Sequence, residues 1–329
     1  MLTRRQAVAA SMASTVTANT GFLSRAMAQA VGKQTHVIVG FAAGGGTDVG
    51  ARLFAERIRG PYATQVIVEN KVGAAARLAV EYVKNADADG SVVLFTPDFP
   101  VTLYPHIFKS LPYDPVKDLT PVAPFTKSVL TFNIGTAVPA SITTLRAFID
   151  WCKANPDKAN YATTGAGGTP HFIGVMLSNE SKVPMTPVHY RGGAPALQDL
   201  IGGHVAASIN PISEAMPLAQ AGQIRTLAVA SSERTRFLPN IPTMREQGLN
   251  VVINSWTGAF LPAKADPKAV AALSAVIAEA VKAPDVIEAN AKLGNEMTFQ
   301  PQPEFVATVK ADIEKWGPIV KASGFVPEE

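Results

Sequence analysis

The feature that most constrains this 329-residue chain occurs twice. Ala43-Gly44-Gly45-Gly46-Thr47-Asp48 and Gly165-Ala166-Gly167-Gly168-Thr169-Pro170-His171 stand more than a hundred residues apart, each between an apolar β-type run and an amphipathic helical run. A glycine-rich turn entering a helix leaves backbone N–H groups unpaired at the positive end of the helix dipole. Such groups hold an anion without a lysine. Two of these turns favour an α/β architecture and suggest a ligand carboxylate gripped from two sides.

The alternation around the turns supports that class. His36–Phe41 is a short apolar run, and Thr47–Arg59 carries Val49, Leu53, Phe54 and Ile58 at helical spacing. Gln65–Glu69 reads as a second strand, the residues from Val72 to Asn85 as a helix, and Ser91–Thr96 as a third strand. This β-α-β-α-β order predicts a mainly parallel sheet with helices on both faces. A proline-rich passage from Pro97 to Pro124 leads to a strand at Ser128–Ile134, read as the first crossing between domains. The alternation then restarts. Thr143–Ala154 is helical, Tyr161–Thr164 is a strand, and Thr169 is the expected N-cap of a helix with Pro170 in its first position. Val183–Tyr190, Val205–Asn210 and Ile224–Ser231 are further strands, with a helix opened by Ala194-Pro195 and ended by Gly202-Gly203. Trp256–Leu261 is the return crossing. Three helices follow: Pro267–Val281 capped by Asp266, a short one opened by Pro284, and Pro303–Ser323. The expected division is 31–130 plus 256–329 for the first lobe and 131–255 for the second, with the ligand cleft between them.

The first thirty residues read as an export signal, with Arg4-Arg5, a diluted apolar region and small-x-small sites around residues 28–30. The paired arginines resemble a twin-arginine signal, and a Sec route stays open because the downstream Phe-Leu is missing. Removing Arg4, Arg5 and Arg25 takes the formal charge from +3 to 0, so no polybasic footprint for nucleic acid or anionic membrane remains. The only cysteine, Cys152, lies far from the cleavage region. That excludes a lipid-modified cysteine there and an intramolecular disulfide, and predicts a buried core thiol. The expected mature product is a periplasmic monomer.

The candidate site is built from the two turns. Gly44, Gly45, Gly46 and Thr47 form the first cradle; Thr164, Gly165, Gly167, Gly168 and Thr169 form the second. Asp48 leaves several roles open: capping the helix, holding the loop's own N–H groups, or meeting an ammonium or bridging water on the ligand. His171 stands between a helix-start histidine and a ligand contact. A third helix start, Arg191-Gly192-Gly193, offers amides and a guanidinium, or an ion-pair residue at the rim. Phe41, Asp98 and Asn210 complete the wall with Arg191; Asp98 reads equally as a turn residue or an amine contact.

Catalytic and metal signatures are thin. The five histidines are scattered, with none beside Cys, Asp or Glu at ligand spacing, and neither a G-x-S-x-G elbow nor a P-loop occurs. No catalytic residue, metal or cofactor is therefore expected. The competing enzyme reading is an exported nicotinamide or flavin oxidoreductase, since Glu69 follows the first glycine turn by about twenty residues. Gly44-Gly45-Gly46 nonetheless has the wrong spacing for G-x-G-x-x-G, and Asp48 would face the pyrophosphate.

Taken in order, the motifs resemble the receptors of tripartite tricarboxylate transporters, the Bug family. The resemblance is carried by Phe41-Ala-Ala-Gly-Gly-Gly-Thr-Asp48 with Ala51-Arg52, Val68-Glu-Asn70, Asp89-Gly90, and Asp118-Leu-Thr-Pro-Val-Ala123. It continues through Thr164-Gly-Ala-Gly-Gly168 with His171, then Tyr190-Arg-Gly-Gly-Ala-Pro-Ala-Leu-Gln-Asp-Leu-Ile-Gly-Gly203. Ile241-Pro-Thr243, Glu246-Gln-Gly248, Trp256-Thr-Gly258 and Leu261-Pro262 complete it. It implies a two-lobed α/β clamshell of the periplasmic-binding-protein kind, type II-like. That clamshell would close on a small organic carboxylate: a di- or tricarboxylate, an aromatic acid or an amino acid. Delivery to large and small integral-membrane transporter subunits is implied as well, and a ligand-sensing subunit for a membrane kinase is the other non-enzymatic reading. Three positions depart from the family pattern. Gly73-Ala-Ala-Ala replaces Gly-Ala-Gly-Gly, Ser91-Val92 replaces an aromatic with threonine, and His204-Val205-Ala206 replaces Gln-Val-Asp. The first and last are expected near the cleft, the middle one in packing.

Overall fold

The computed structural model describes residues 34–190 and 192–327. The export-signal reading therefore lies outside the described residues, as does Arg191. The first sheet contains β1 (Gln34–Val39), β2 (Gln65–Asn70), β3 (Val92–Pro97), β4 (Leu119–Ser128), β10 (Ser255–Pro262) and β11 (Glu296–Met297), ordered β11-β4-β10-β3-β1-β2. The second contains β5 (Leu130–Ile134), β6 (Asn160–Thr163), β7 (Thr186–His189), β8 (Ala207–Pro211) and β9 (Arg225–Val229), ordered β7-β6-β8-β5-β9. The helices are α1 (Gly46–Ile58), α2 (Arg77–Lys84), α3 (Phe99–Thr102), α4 (Tyr104–Ile107), α5 (Leu145–Ala154), α6 (Thr169–Ser181), α7 (Gly193–Gly202), α8 (Ile212–Gln220), α9 (Pro267–Ala280), α10 (Pro284–Lys292) and α11 (Gln302–Ser323).

The hydrogen-bonded pairs are mixed rather than mainly parallel. β1 pairs in parallel with β2 and β3, and β6 with β7 and β8, whereas β10 is antiparallel to β3 and β4, and β5 to β8 and β9. The reason is topological. The chain leaves the first sheet after Ser128 and re-enters it at Ser255, so β5 and β10 each begin at the edge where their neighbours end. A strand entering there must run backwards. The C-terminal ends of β1, β2 and β3, and of β6, β7 and β8, consequently face the same interlobe space, the edge at which open α/β sheets place ligands.

Local chemistry sets several boundaries. The Asp266 carboxylate accepts from Lys268 N–H at 2.9 Å, with Pro267 in the first helical position where it needs no donor, as expected. Thr144 caps α5 by accepting from Ala147 N–H at 3.1 Å. In the first lobe, α1 and α9 cover one face of the sheet around Phe54, Phe95 and Phe125, whose rings meet edge-on or tilted. The second lobe's core holds Phe132, Phe148 and the fully buried Cys152 thiol, pushed up to about 12 by burial. That core also takes Leu103, Tyr104 and Ile107 from the β3–β4 connection, and Trp316 and Val320 from the end of α11. Helix α11 starts against the first sheet through Phe305 and Val309 and thus straps the two lobes together.

Candidate ligand-binding site

The first cradle follows β1. Gly44 adopts φ +82°, a left-handed conformation that strains any residue with a Cβ, and it aims its N–H at the side chain of Asp48, 2.9 Å from Oδ2. Arg52 donates to the same carboxylate through Nε (2.9 Å) and Nη2 (3.0 Å), and Asn70 Nδ2 donates to Oδ1 (2.9 Å) and to the Phe41 carbonyl (2.9 Å). Burial alone would raise the Asp48 carboxyl; the bonds from Arg52, Gly44 and Asn70 prevail and hold it at about 2. Of the roles left open by the sequence, the geometry is that of the loop-holding one. Gly45 is the N-cap of α1, and Val49 N–H makes the first intrahelical bond, to Gly45 O at 3.0 Å. The amides of Gly46, Thr47 and Asp48 thus belong to the turn that a helix cannot pair.

The second cradle follows β6. Thr163 Oγ1 donates to Gly165 O at 3.1 Å and lies 2.7 Å from His189 Nδ1. Gly167, at φ +68°, donates its N–H to His171 Nδ1 at 3.2 Å. Burial, reinforced by the neighbouring His189 ring at 4.7 Å, lowers His171 to about 4, so it is a neutral acceptor propping the loop from behind. Thr169 is not the N-cap. Gly168 has the extended cap geometry (φ −83°, ψ 164°), which makes Thr169 the first helical residue and Pro170 the second. Freed from capping, the Thr169 hydroxyl is buried with no hydrogen-bond partner in the protein.

Both cradles open on one cavity of about 570 Å³ between the lobes. Phe41, Gly45, Gly46 and Thr47 line it from the first lobe, and Thr164, Gly165, Gly167, Gly168 and Thr169 from the second. Gly44, Asp48 and His171 stand behind this surface, supporting it. Asp98 is buried one hydrogen bond away, accepting at 2.9 Å from Ser255, which does line the cavity. Burial, with Asp312 nearby, lifts the Asp98 carboxyl to about 7 against the pull of the Ser255 bond. Asn210 is also buried and donates Nδ2 to Glu214 Oε2 at 3.1 Å.

Sequence reasoning missed a large part of the wall. Phe41 meets Phe99 at 5.8 Å, Phe99 meets Tyr104 at 5.7 Å, and Tyr104 meets Phe108 at 5.0 Å, an aromatic chain along the cleft. Its available signal was three aromatics within ten residues of the proline-rich passage. Glu214 and Ser213 from the start of α8, Asn290 near the end of α10 and Asn295 just beyond it carried no such signal. The Gly73–Ala76 departure does reach the cavity, through Ala75. The departure at His204-Val205-Ala206 does not: it precedes β8 at the opposite edge of the sheet. Ala206 is core there, its N–H donating to Asn160 Oδ1 at 2.7 Å. Among the described residues, no group of three or more His, Cys, Asp or Glu is placed to hold a metal.

Two α/β lobes joined by two crossings, with glycine-rich helix starts on facing strand ends lining one cavity, are the architecture of a solute-binding receptor. A family model described as the tripartite tricarboxylate transporter family receptor matches residues 50–325. Protein BugT of Bordetella pertussis (strain Tohama I) is 29% identical over 290 residues, 88% of each chain. Among solved structures, Rpa4515 of R. palustris with adipate has a TM-score of 0.79 at 27% identity, covering 88% of this chain and 97% of its own. MatC of Rhodopseudomonas palustris with bound malate has a TM-score of 0.73 at 30% identity, covering 87% and 98%. The chain belongs to the tripartite tricarboxylate transporter family of receptors. It is a periplasmic carboxylate-binding protein of an uptake system rather than an enzyme, and membership implies cognate membrane transporter subunits.

Proposed function

We propose that the two cradles hold one carboxylate of a small organic acid. The first-turn amides of α1 would bind it from one lobe, and the Gly168–Thr169 turn from the other. The observation that carries this reading is Thr169 Oγ1, a buried hydroxyl without a partner on the wall of the cavity that both turns face. A buried unpaired hydroxyl costs about 1–3 kcal/mol, which a ligand oxygen would relieve. Micromolar affinity requires about 8 kcal/mol. Four to six hydrogen bonds to a charged acceptor, at roughly 1.5–3 kcal/mol each, together with burial against the aromatic chain, suffice after the entropy of association. No lysine, metal or cofactor is needed. Cleavage of a signal near residues 28–30 and handover to large and small transporter subunits complete the proposal.

The test is a thermal-shift and calorimetric screen of di- and tricarboxylates, aromatic acids and amino acids. A ligand at a hundred times its Kd adds about 2.7 kcal/mol of stability. Gly46→Asp and Gly168→Asp each place a carboxylate at a cradle where the backbone leaves ordinary room for a Cβ, so folding survives while the shift disappears. Undiminished binding in both variants would refute the two-cradle arrangement.

A further inference from the structure

Glu214 stands in the first turn of α8, following β8, and its side chain enters the cleft. Its carboxylate lies against Gly193, the first residue of α7, so closely that a Cβ at 193 would collide with it. The third helix start, which the sequence offered as a further anion site, therefore faces a carboxylate of the protein itself. Asn210 Nδ2 holds that carboxylate in place at 3.1 Å. Among the described residues, no Lys, Arg or His is ion-paired with Glu214. Glu214 is exposed to the cleft, and partial desolvation of its carboxyl pushes its pKa upward against the pull of the Asn210 bond.

A second acceptor belongs to the same wall. Asn290 is fully buried and its Nδ2 donates to Val286 O at 3.0 Å, which fixes the amide so that Oδ1 is left without a partner. Asn290 lines the cleft with Glu214, and the turn after α10 approaches α8 where Gly294 lies close to Ile212. Both groups accept hydrogen bonds and one is anionic, so a second ligand carboxylate there would meet like charge. A protonated amine would satisfy both.

We propose that Glu214 selects, among organic acids, those that also carry a protonated amine, with Asn290 Oδ1 as a second acceptor for its N–H groups. This rests on the carboxylate reading of the cradles and adds a second recognition point in the same cavity.

Two series matched in apolar body test it by calorimetry on the full mature chain. One is phenylalanine, 3-phenylpropionate and benzylmalonate; the other is 4-(aminomethyl)benzoate, 4-methylbenzoate and terephthalate. The expectation is that in at least one series the amine binds tenfold or more tighter than both companions. Glu214→Gln, which keeps an oxygen for Asn210, should then bring the three within threefold at an unchanged melting temperature. Equal or tighter binding of the neutral or dicarboxylate members in both series overturns the role of Glu214 and leaves the carboxylate reading standing. An amine preference that survives Glu214→Gln does the same. Binding of no member in either series also overturns the role of Glu214, while the carboxylate reading is decided by the wider screen and the two cradle variants.

Discussion

Ser255 Oγ donates a 2.9 Å hydrogen bond to Asp98 Oδ1, joining the end of β3 to the first residue of the strand that returns from the second lobe. The Asp98 N–H donates to Trp256 O at 3.0 Å, and Trp256 Nε1 donates to Asp312 Oδ2 at 2.8 Å. Two carboxyls, the buried Asp98 and the half-buried Asp312, thus share a corner at the crossing between the lobes.

That corner makes stability depend on pH. Burial first, and Asp312 second, raise folded Asp98 to about 7 from an ordinary value of 3.8. The folded state then keeps a proton that the unfolded chain gives up above about pH 4. Asp98 protonation favours folding fully below that point, and the advantage is lost as pH rises towards 7. Asp98→Asn should flatten the dependence between pH 4 and 7 and gain about 2–4 kcal/mol over the wild type above pH 7. Urea denaturation of both proteins at pH 4.5, 6 and 7.5 reads this directly, and parallel pH curves would contradict it.

Thr169→Val separates ligand binding from folding at one atom. Valine keeps the shape and removes a hydroxyl that is buried without a partner, so stability should hold or rise by up to about 1–3 kcal/mol. Affinity for the carboxylate should fall about tenfold or more, the worth of one charge-assisted hydrogen bond. A ligand that binds Thr169→Val as well as the wild type would remove this hydroxyl from the site.

The cradles were legible because glycine runs sat where a two-residue period changed to a helical one, a local property of the chain. Strand β4 was hidden by Pro121 and Pro124, which argue against a strand flanked on both sides. The fold tolerates them through register shifts against β10, close to the positions where Gly258 faces Pro124 and Phe260 faces Pro121. Helix α8 was hidden in the same way by Pro217 in its interior. Glu214 was illegible for a different reason. Its importance comes from lying over Gly193 at the start of another helix, and no spacing in the sequence records that approach.

The turn after β2 stores strain at the cleft rim. Ala74, Ala75 and Ala76 have φ of 45°, 53° and 72°, three successive left-handed alanines, each costing roughly 1–2 kcal/mol relative to a relaxed backbone. Arg77 helps to hold them. Its Nε donates to Ala74 O at 2.9 Å, and its guanidinium stacks 3.9 Å from the centre of the Phe108 ring, part of the aromatic wall. The Ala74 side chain is exposed and away from the cavity, so Ala74→Gly removes strain without opening a void. Glycine's greater freedom in the unfolded chain offsets about 0.5–1 kcal/mol of the relief, which leaves a net gain of up to about 1 kcal/mol. Ala76→Gly relieves similar strain but deletes a buried methyl packed beside Gly40, so its gain should be smaller. Thermal unfolding of the two variants beside the wild type should rank Ala74→Gly highest. A wild type more stable than Ala74→Gly would mean that the turn is relaxed as it stands.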